Sequence, residues 1–385
     1  MSILVLAPTL KTPSGHDHAF CTELIRFAGA SNVRILASQK FQSEPDLLAE
    51  PFFSVDPYEY RWIQREAKQS LPWKALLWSA AEDLRKIDFA PYDKVIFHTA
   101  DPIYLAALSR SFSRFGGILY LGFMLPPSFW LRKTIGRRIV AVASDLAIGS
   151  LKRKTKVVMY SETGVIRFDH RSINCLLKLP PVQSVHSVNA SALVEQTDNS
   201  NNRIKIGFFG APFDDKGFQV LLQLADHPEV RSRFQIKVFL PPGQEELVEK
   251  INTGDTIWAD SANRDLGTYF GCMASVDLVY TLYSPLAYKD RMSGIVQDAV
   301  LAGKPLLVTT GCTEMRRFID RIAPGAYLHS DYSVTGAAEC LASRADNLPT
   351  FSRRAKAGGQ TIRKLKTFQA YFDTSAGERA LANAR

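Results

Sequence analysis

Short, continuously apolar runs alternate along this chain with segments whose apolar residues recur at helical spacing. In the first half the runs are Ile3 to Ala7, Val33 to Ala37, Asp93 to Phe97, Ile118 to Phe123 and Lys156 to Ser161. In the second half they are IKIGFFG from Ile204, Phe234 to Leu240, Val276 to Thr281, and PLLVTT from Pro305. Runs without polar alternation predict strands covered on both faces, as in parallel sheets. Between them, Ala19 to Ala28 predicts a helix with Phe20, Leu24 and Phe27 on one side. Gly217 to Leu224 predicts another, with Leu221, Leu222 and Leu224. Ser293-Gly294 opens a third, whose Ile295, Val296, Ala299, Val300 and Ala302 share a face until Gly303 and Pro305 stop it. The order strand, loop, helix, strand makes βαβ units, hence an α/β fold with parallel sheets. From Phe41 to Phe89 the chain is rich in aromatics (Phe52, Phe53, Tyr58, Tyr60, Trp62, Trp73, Trp78) and predicts two helices packed on the sheet. Core packing is the ordinary reading of these rings; an acceptor-binding rim is the other.

The pattern lapses once. Between Leu176 and Arg203 periodicity fades into a polar run ending Asp198-Asn199-Ser200-Asn201-Asn202, which predicts a linker or surface loop. The βα order then restarts. This divides the chain into residues 1–190, 203–351 and a basic, helically patterned tail, 352–385. A length of 385 residues suits two domains, and a 46% apolar content allows each a core. Beyond the two βα halves there is no internal repeat.

Composition narrows the class. Five scattered cysteines without a CxxC pair predict reduced thiols in a cytoplasmic protein. Seven histidines without an HExxH pattern predict no zinc. MSILVLAPTL lacks a basic leader and is broken by Pro8, so it predicts a strand and not a signal peptide. No apolar stretch approaches spanning length. The net charge of +9 predicts an anionic partner, whether nucleotide, nucleic acid or membrane surface. The bases concentrate at Arg132, Lys133, Arg137, Arg138, Lys152, Arg153, Lys154 and Lys156, against Asp145 alone. Phe129 and Trp130 precede them, and Ile135, Ile139 and Val142 supply an apolar side. Such a segment is either a membrane-surface element or a solvated charged face.

Two stretches carry candidate chemistry. In Tyr283 to Thr310, Asp290 lies in the loop before the helix and Asp298 inside it. A helix start offers free N–H groups and partial positive charge to a phosphate, while carboxylates accept from sugar hydroxyls. The competing reading is an ordinary αβ unit with two solvated aspartates. In GFFGAPFDDKGF, Gly207 to Phe218, a strand ends at Gly210 and Lys216-Gly217 opens the next helix. Glycine there admits a ligand to the backbone, and lysine supplies a point charge. Alone, this second pattern is a common strand–loop–helix turn.

The two stretches together resemble the family 4 retaining glycosyltransferases, also called glycosyl transferases group 1. That family has two glutamates separated by seven residues, a small-Gly pair between them, and Gly-x-Pro before a buried strand. Here Asp290, Ser293-Gly294, Asp298-Ala299 and Gly303-Lys304-Pro305 match, with both acids one methylene shorter. The family's phosphate turn matches at Gly210 and Lys216, but its arginine position is Ala211, for which Arg291 is the candidate replacement. The resemblance implies the GT-B arrangement, two Rossmann-like domains facing across a cleft, with the C-terminal tail crossing back to the N-terminal domain. It implies glycosyl transfer with retention from a nucleoside diphosphate-sugar to a saccharide or lipid-linked acceptor, without a metal or other cofactor.

By the same resemblance, Asp290, Lys216, Arg291 and His98 serve catalysis. Gly210, Ala211, Lys216, Ser293, Gly294, Ile295, Asp298 and Glu314 serve donor binding, Glu314 by its place in Cys312-Thr313-Glu314. Gly15 and His16, in the polar loop Thr9 to His18, face the acceptor. The family's cleft histidine after the strand Ile118 to Phe123 is missing, since Met124-Leu125-Pro126-Pro127 follows. No catalytic base is therefore named from the N-terminal half. Expected partners are the donor, the acceptor and an anionic membrane surface at the cytoplasmic face, with no nucleic acid. Two other classes stay open: a hydrolase or epimerase of nucleotide sugars with the same fold, and a basic nucleic-acid-binding protein.

Overall fold

The computed structural model describes residues 1–11, 16–42, 47–57, 72–123, 134–162, 164–168, 172–177, 203–252, 256–261, 266–365 and 367–373. The chain forms two compact units, Met1–Val182 with Lys366–Arg385, and Gln183–Leu365.

The first unit holds strands β1 (Ile3–Ala7), β2 (Val33–Ser38), β3 (Glu50–Phe53), β4 (Lys94–Phe97), β5 (Ile118–Phe123), β6 (Lys156–Ser161) and, after the small hairpin β7 (Val165–Arg167) and β8 (Ser172–Asn174), β9 (Leu176–Leu177). The large sheet runs β3-β2-β1-β4-β5-β6-β9, every pairing parallel. The continuous apolar runs are its central strands because both faces are covered. Helices α1 (His16–Ala28), α2 (Trp73–Arg85), α3 (Pro102–Ser111) and α4 (Thr134–Lys152) supply most of that cover. Leu4, Leu6 and Phe97 face α2, α3 and α4 through Leu76, Ala80, Leu105, Ala141 and Leu151. Ile3, Val5 and Ile96 face the opposite way, onto Phe20 and Leu24 of α1.

Three expectations change here. The segment Phe41 to Phe89 contains, among its described residues, a strand, β3, the helix α2 and the first residue of another helix at Pro57; Tyr58, Tyr60 and Trp62 lie outside them. β3 reads Glu-Pro-Phe-Phe, and its proline is tolerated because the strand lies at the sheet edge, where an N–H is dispensable. Trp78 is not core, being 62% exposed with Arg85 over its ring at 5.5 Å. On α4 the inward face is Ala141, Ser144, Ala147, Ile148 and Leu151, so Ile139 and Val142 turn away from the sheet. Lys154 is not a free surface base either: its Nζ donates to the carbonyls of Ser109 (2.7 Å) and Phe112 (2.8 Å) and so closes the end of α3.

The second unit holds β10 (Ile204–Phe209), β11 (Phe234–Leu240), β12 (Ile257–Ser261), β13 (Leu278–Thr281), β14 (Leu306–Thr309) and β15 (Tyr327–Ser330). They form a parallel sheet, β12-β11-β10-β13-β14-β15. Its principal helices are α5 (Phe218–Ala225), α6 (Leu266–Ala274), α7 (Pro285–Tyr288), α8 (Gly294–Leu301), α9 (Thr313–Ile322), α10 (Val334–Arg344) and α11 (Leu348–Leu365). α11 crosses α8 closely: a Cβ on Gly359 would stand 2.8 Å from the Val300 carbonyl oxygen, so only glycine fits.

Among its described residues the patterned tail is two helices. α11 stays in the second unit, and α12 (Phe368–Phe372) belongs to the first. Thr367 starts α12 by accepting from the Ala370 N–H at 3.1 Å. Phe368 and Tyr371 then pack on Phe20 of α1.

Candidate functional site

Both large sheets contain the strand order third-second-first-fourth-fifth-sixth. The topology therefore switches direction between β1 and β4, and again between β10 and β13. Ligands in open parallel sheets bind at the carboxyl ends of strands beside such points.

In the second unit the switch point gathers cations. β10 is followed by Gly210, whose φ of +104° is open only to glycine, and a Cβ there would lie 3.2 Å from Lys216 Nζ. The ammonium thus rests against bare backbone. Lys216 closes a 3₁₀ turn, Asp214–Lys216, and its Nζ lies 5.7 Å from the Phe213 ring. Gly217, at φ +69°, presses on β13: a Cβ would meet the Leu282 carbonyl at 2.1 Å, while Tyr280 donates to the Gly217 carbonyl at 2.9 Å. The turn is also tied by the Ser284 N–H to the Asp215 carbonyl, 2.9 Å. α5 begins only after this turn, at Phe218.

Arg291 joins from the loop after β13. Its guanidinium lies 4.5 Å over the ring of Tyr288, which packs 4.6 Å from the buried Tyr283. Burial holds Lys216 below the usual lysine range; Asp215 draws it up and Arg291 presses it down again. The two cations therefore repel one another, which a bound anion would relieve.

Ser293 is the N-cap of α8 but spends no side-chain bond on the cap; it is buried with its hydroxyl beside that of Tyr283. Gly294 and Ile295 form the half-buried first turn. Asp298, one turn further, accepts from the Tyr269 hydroxyl of α6 at 3.1 Å. Burial pushes the Tyr269 phenol well up, and Asp298 adds to it, so the phenol remains a donor. Asp290 is exposed in the loop between α7 and α8, and Ala211 is half-buried after β10. Glu314 differs from its expected part: it is 3% exposed and bound to Arg317 of its own helix at 2.5 Å. Its N–H donates to the Lys289 carbonyl at 3.2 Å, so α9 braces the Asp290 loop.

The first unit is arranged differently. His98 follows β4, but its ring is 1% exposed, stacked 3.9 Å from Phe20, with Nδ1 3.3 Å from the Tyr160 hydroxyl. Tyr160 packs edge-on against Tyr371 of α12, ring centroids 5.0 Å apart. In this structure the His98 ring is packed into the core under α1. The groups that span the switch point are Asp17, Thr9 and Thr99. Asp17 accepts from Thr9 at 2.6 Å and from Thr99 at 3.0 Å, joining the ends of β1 and β4. Lys11, in the loop after β1, forms an ion pair with Asp56, in the loop after β3. Asp101 accepts from the N–H groups of Ile103 (2.8 Å) and Tyr104 (3.1 Å) and caps α3. Burial lifts its carboxyl to about 7. Gly15 lies outside the described residues, as does the side chain of His16, which opens α1.

Sequence reasoning missed Tyr269, Tyr288, Asp215 and the Asp17 bridge. Only Asp17 had a signal of its own, an acid at a helix start after a polar loop. Among the described residues no three His, Cys, Asp or Glu side chains are grouped as metal ligands.

No protein-family profile and no curated protein matches the sequence. Solved structures do. The chain is similar to alpha,alpha-trehalose 6-phosphate synthase from Burkholderia multivorans, with TM-score 0.61 and 12% identity over 100% of this chain and 97% of that one. Anabaena Alr3699/HepE in complex with UDP gives TM-score 0.54 and 14% identity over 100% and 99%. Spinosyn rhamnosyltransferase SpnG gives 0.53 and 11% over 95% and 97%. At such identities the likeness is one of fold, and that fold is the α/β GT-B fold of glycosyltransferases.

Proposed function

We propose that this protein is a glycosyltransferase that moves a sugar from a nucleoside diphosphate-sugar to a saccharide or lipid-linked acceptor in polysaccharide or glycoconjugate synthesis. The observation that carries the reading is the Lys216 ammonium set against bare Gly210 at the switch point of the second unit, with the charge of Arg291 felt there as well. The second unit then holds the donor and the first the acceptor.

As the bond from the anomeric carbon to the diphosphate oxygen breaks, charge grows on the leaving diphosphate. In this reading Lys216, Arg291 and the start of α8 at Ser293-Gly294 stabilise it. Two side-chain cations and a helix dipole supply the compensation without calling on a metal. In this reading Asp298, held by Tyr269, accepts from ribose hydroxyls, and Asp290 in the loop accepts from the sugar. Retention of configuration rests on the resemblance of these two acids to the paired glutamates described above. Five free cysteines suit work in the cytoplasm, at the inner face of an anionic membrane.

The test compares two near-isosteric variants. Asp298→Asn should weaken free nucleoside diphosphate and donor together. Asp290→Asn should spare free nucleotide and lower single-turnover rates, because it orients the reacting ring. Wild-type behaviour in both would remove these acids from the site. Product formed without acceptor would instead favour a hydrolase or epimerase of the same fold.

A further inference from the structure

The outward face of α4 is apolar where a surface helix is ordinarily polar. Ile139 is 64% exposed, Val142 44% and Leu146 69%. Single exposed aliphatics are common, but these three stand at i, i+3 and i+7 and make one continuous stripe. The opposite face, Ala141, Ser144, Ala147, Ile148 and Leu151, already covers the sheet, so the stripe is surplus to the core. On the far side of α3, exposed Trp78 of α2 adds a ring of the kind that settles at lipid–water boundaries.

Charge selects the occupant. Among the side chains described, α4 has one acid, half-buried Asp145, and the exposed base Lys152. Exposed Arg153 and Lys156 continue the basic sign past its end. A protein partner would ordinarily find mixed signs around an apolar stripe; a one-sign basic border fits an anionic lipid surface. Among the described residues no helix is long and apolar enough to cross a membrane, so the contact is interfacial.

We propose that this face of α4 docks on an anionic bilayer, with Ile139, Val142 and Leu146 entering the headgroup–acyl boundary and Lys152, Arg153 and Lys156 lying against lipid phosphates. Its purpose rests on the lipid-linked acceptor reading, but the docking itself does not.

Vesicles of phosphatidylcholine with about one quarter phosphatidylglycerol, against phosphatidylcholine alone, separate the contributions. The full chain should co-sediment with the first and far less with the second at low salt. The triple variant Ile139→Ser, Val142→Ser, Leu146→Ser should bind at least about tenfold more weakly, since each lost apolar group counts. Lys152→Gln with Arg153→Gln and Lys156→Gln should lose the preference for anionic vesicles; Lys154 is left alone because it closes α3. Leu146→Trp, at an exposed position, should shift its emission to the blue when anionic vesicles are added. No wild-type binding, an unaffected triple variant, or self-association that hides the stripe would overturn the proposal. Nucleoside diphosphate binding, measured on the same samples, reports separately on the glycosyltransferase reading.

Discussion

The two units share a strand order, yet their switch points have opposite chemistry. In the second unit, a bare glycine, a half-buried lysine and an arginine carried on a tyrosine ring leave positive charge beside the strand ends. In the first, Asp17 ties two threonines together, and the histidine beside them is sunk under α1. Topology fixes where a site can be. The few residues after the first and fourth strands decide whether it suits an anion or a neutral, hydroxyl-rich molecule.

The largest effect that sharpens this contrast concerns Asp101. Its carboxyl is raised to about 7 by burial, against an unfolded value near 4. Between those values the folded state keeps a proton that the unfolded chain releases, so stability falls as pH rises from about 4 to 7 and is level above. Asp101→Asn keeps an oxygen for the α3 cap and removes the titration. Urea unfolding at about pH 8 should find the variant more stable by up to about 4 kcal/mol, with the acid-side slope gone. Nucleotide binding by the second unit should be untouched.

A smaller change probes the cation carried on a ring. Tyr288→Leu should weaken nucleoside diphosphate binding by about 0.5–2 kcal/mol, while Tyr288→Phe keeps the face and stays near wild type. Equal behaviour of the two variants in titration calorimetry would mean that the ring does not aim Arg291. The smallest effect is at Tyr269→Phe, which removes one bond to Asp298 and should cost about 0.5–1.5 kcal/mol in nucleotide affinity. That loss should vanish in an Asp298→Asn background and for 2′-deoxy nucleotides if the pair serves the ribose.

What the sequence made legible follows from distance along the chain. β1, β10 and β14 were plain because a strand buried on both faces is a continuous apolar run. The turns that carry Lys216, Ser293 and Asp298 were legible because a loop-to-helix turn is local in sequence. β3 was missed, since four residues with a proline carry no strand pattern. Tyr269 and Asp298 are 29 residues apart and Thr99 and Asp17 are 82, and no spacing rule reaches so far. His98 and Glu314 stood at the expected places in sequence, but the packing of α1 and an Arg317 partner took up their side chains. The outward turn of Ile139 and Val142 was hidden because periodicity gives a stripe without saying which way it faces.

The central claim is that the second switch point holds a nucleoside diphosphate. Titration calorimetry of a panel of nucleoside diphosphates against wild type and Lys216→Ala tests it most directly. At least one should bind, and the variant should lose about 1.5–3 kcal/mol, the scale of a hydrogen bond to a charged group. Because burial and Arg291 lower Lys216, wild-type affinity should also decline as pH rises toward about 10, before an ordinary lysine would titrate. A wild type that binds no nucleoside diphosphate, or a Lys216→Ala variant that binds one unchanged at every pH, would contradict the account.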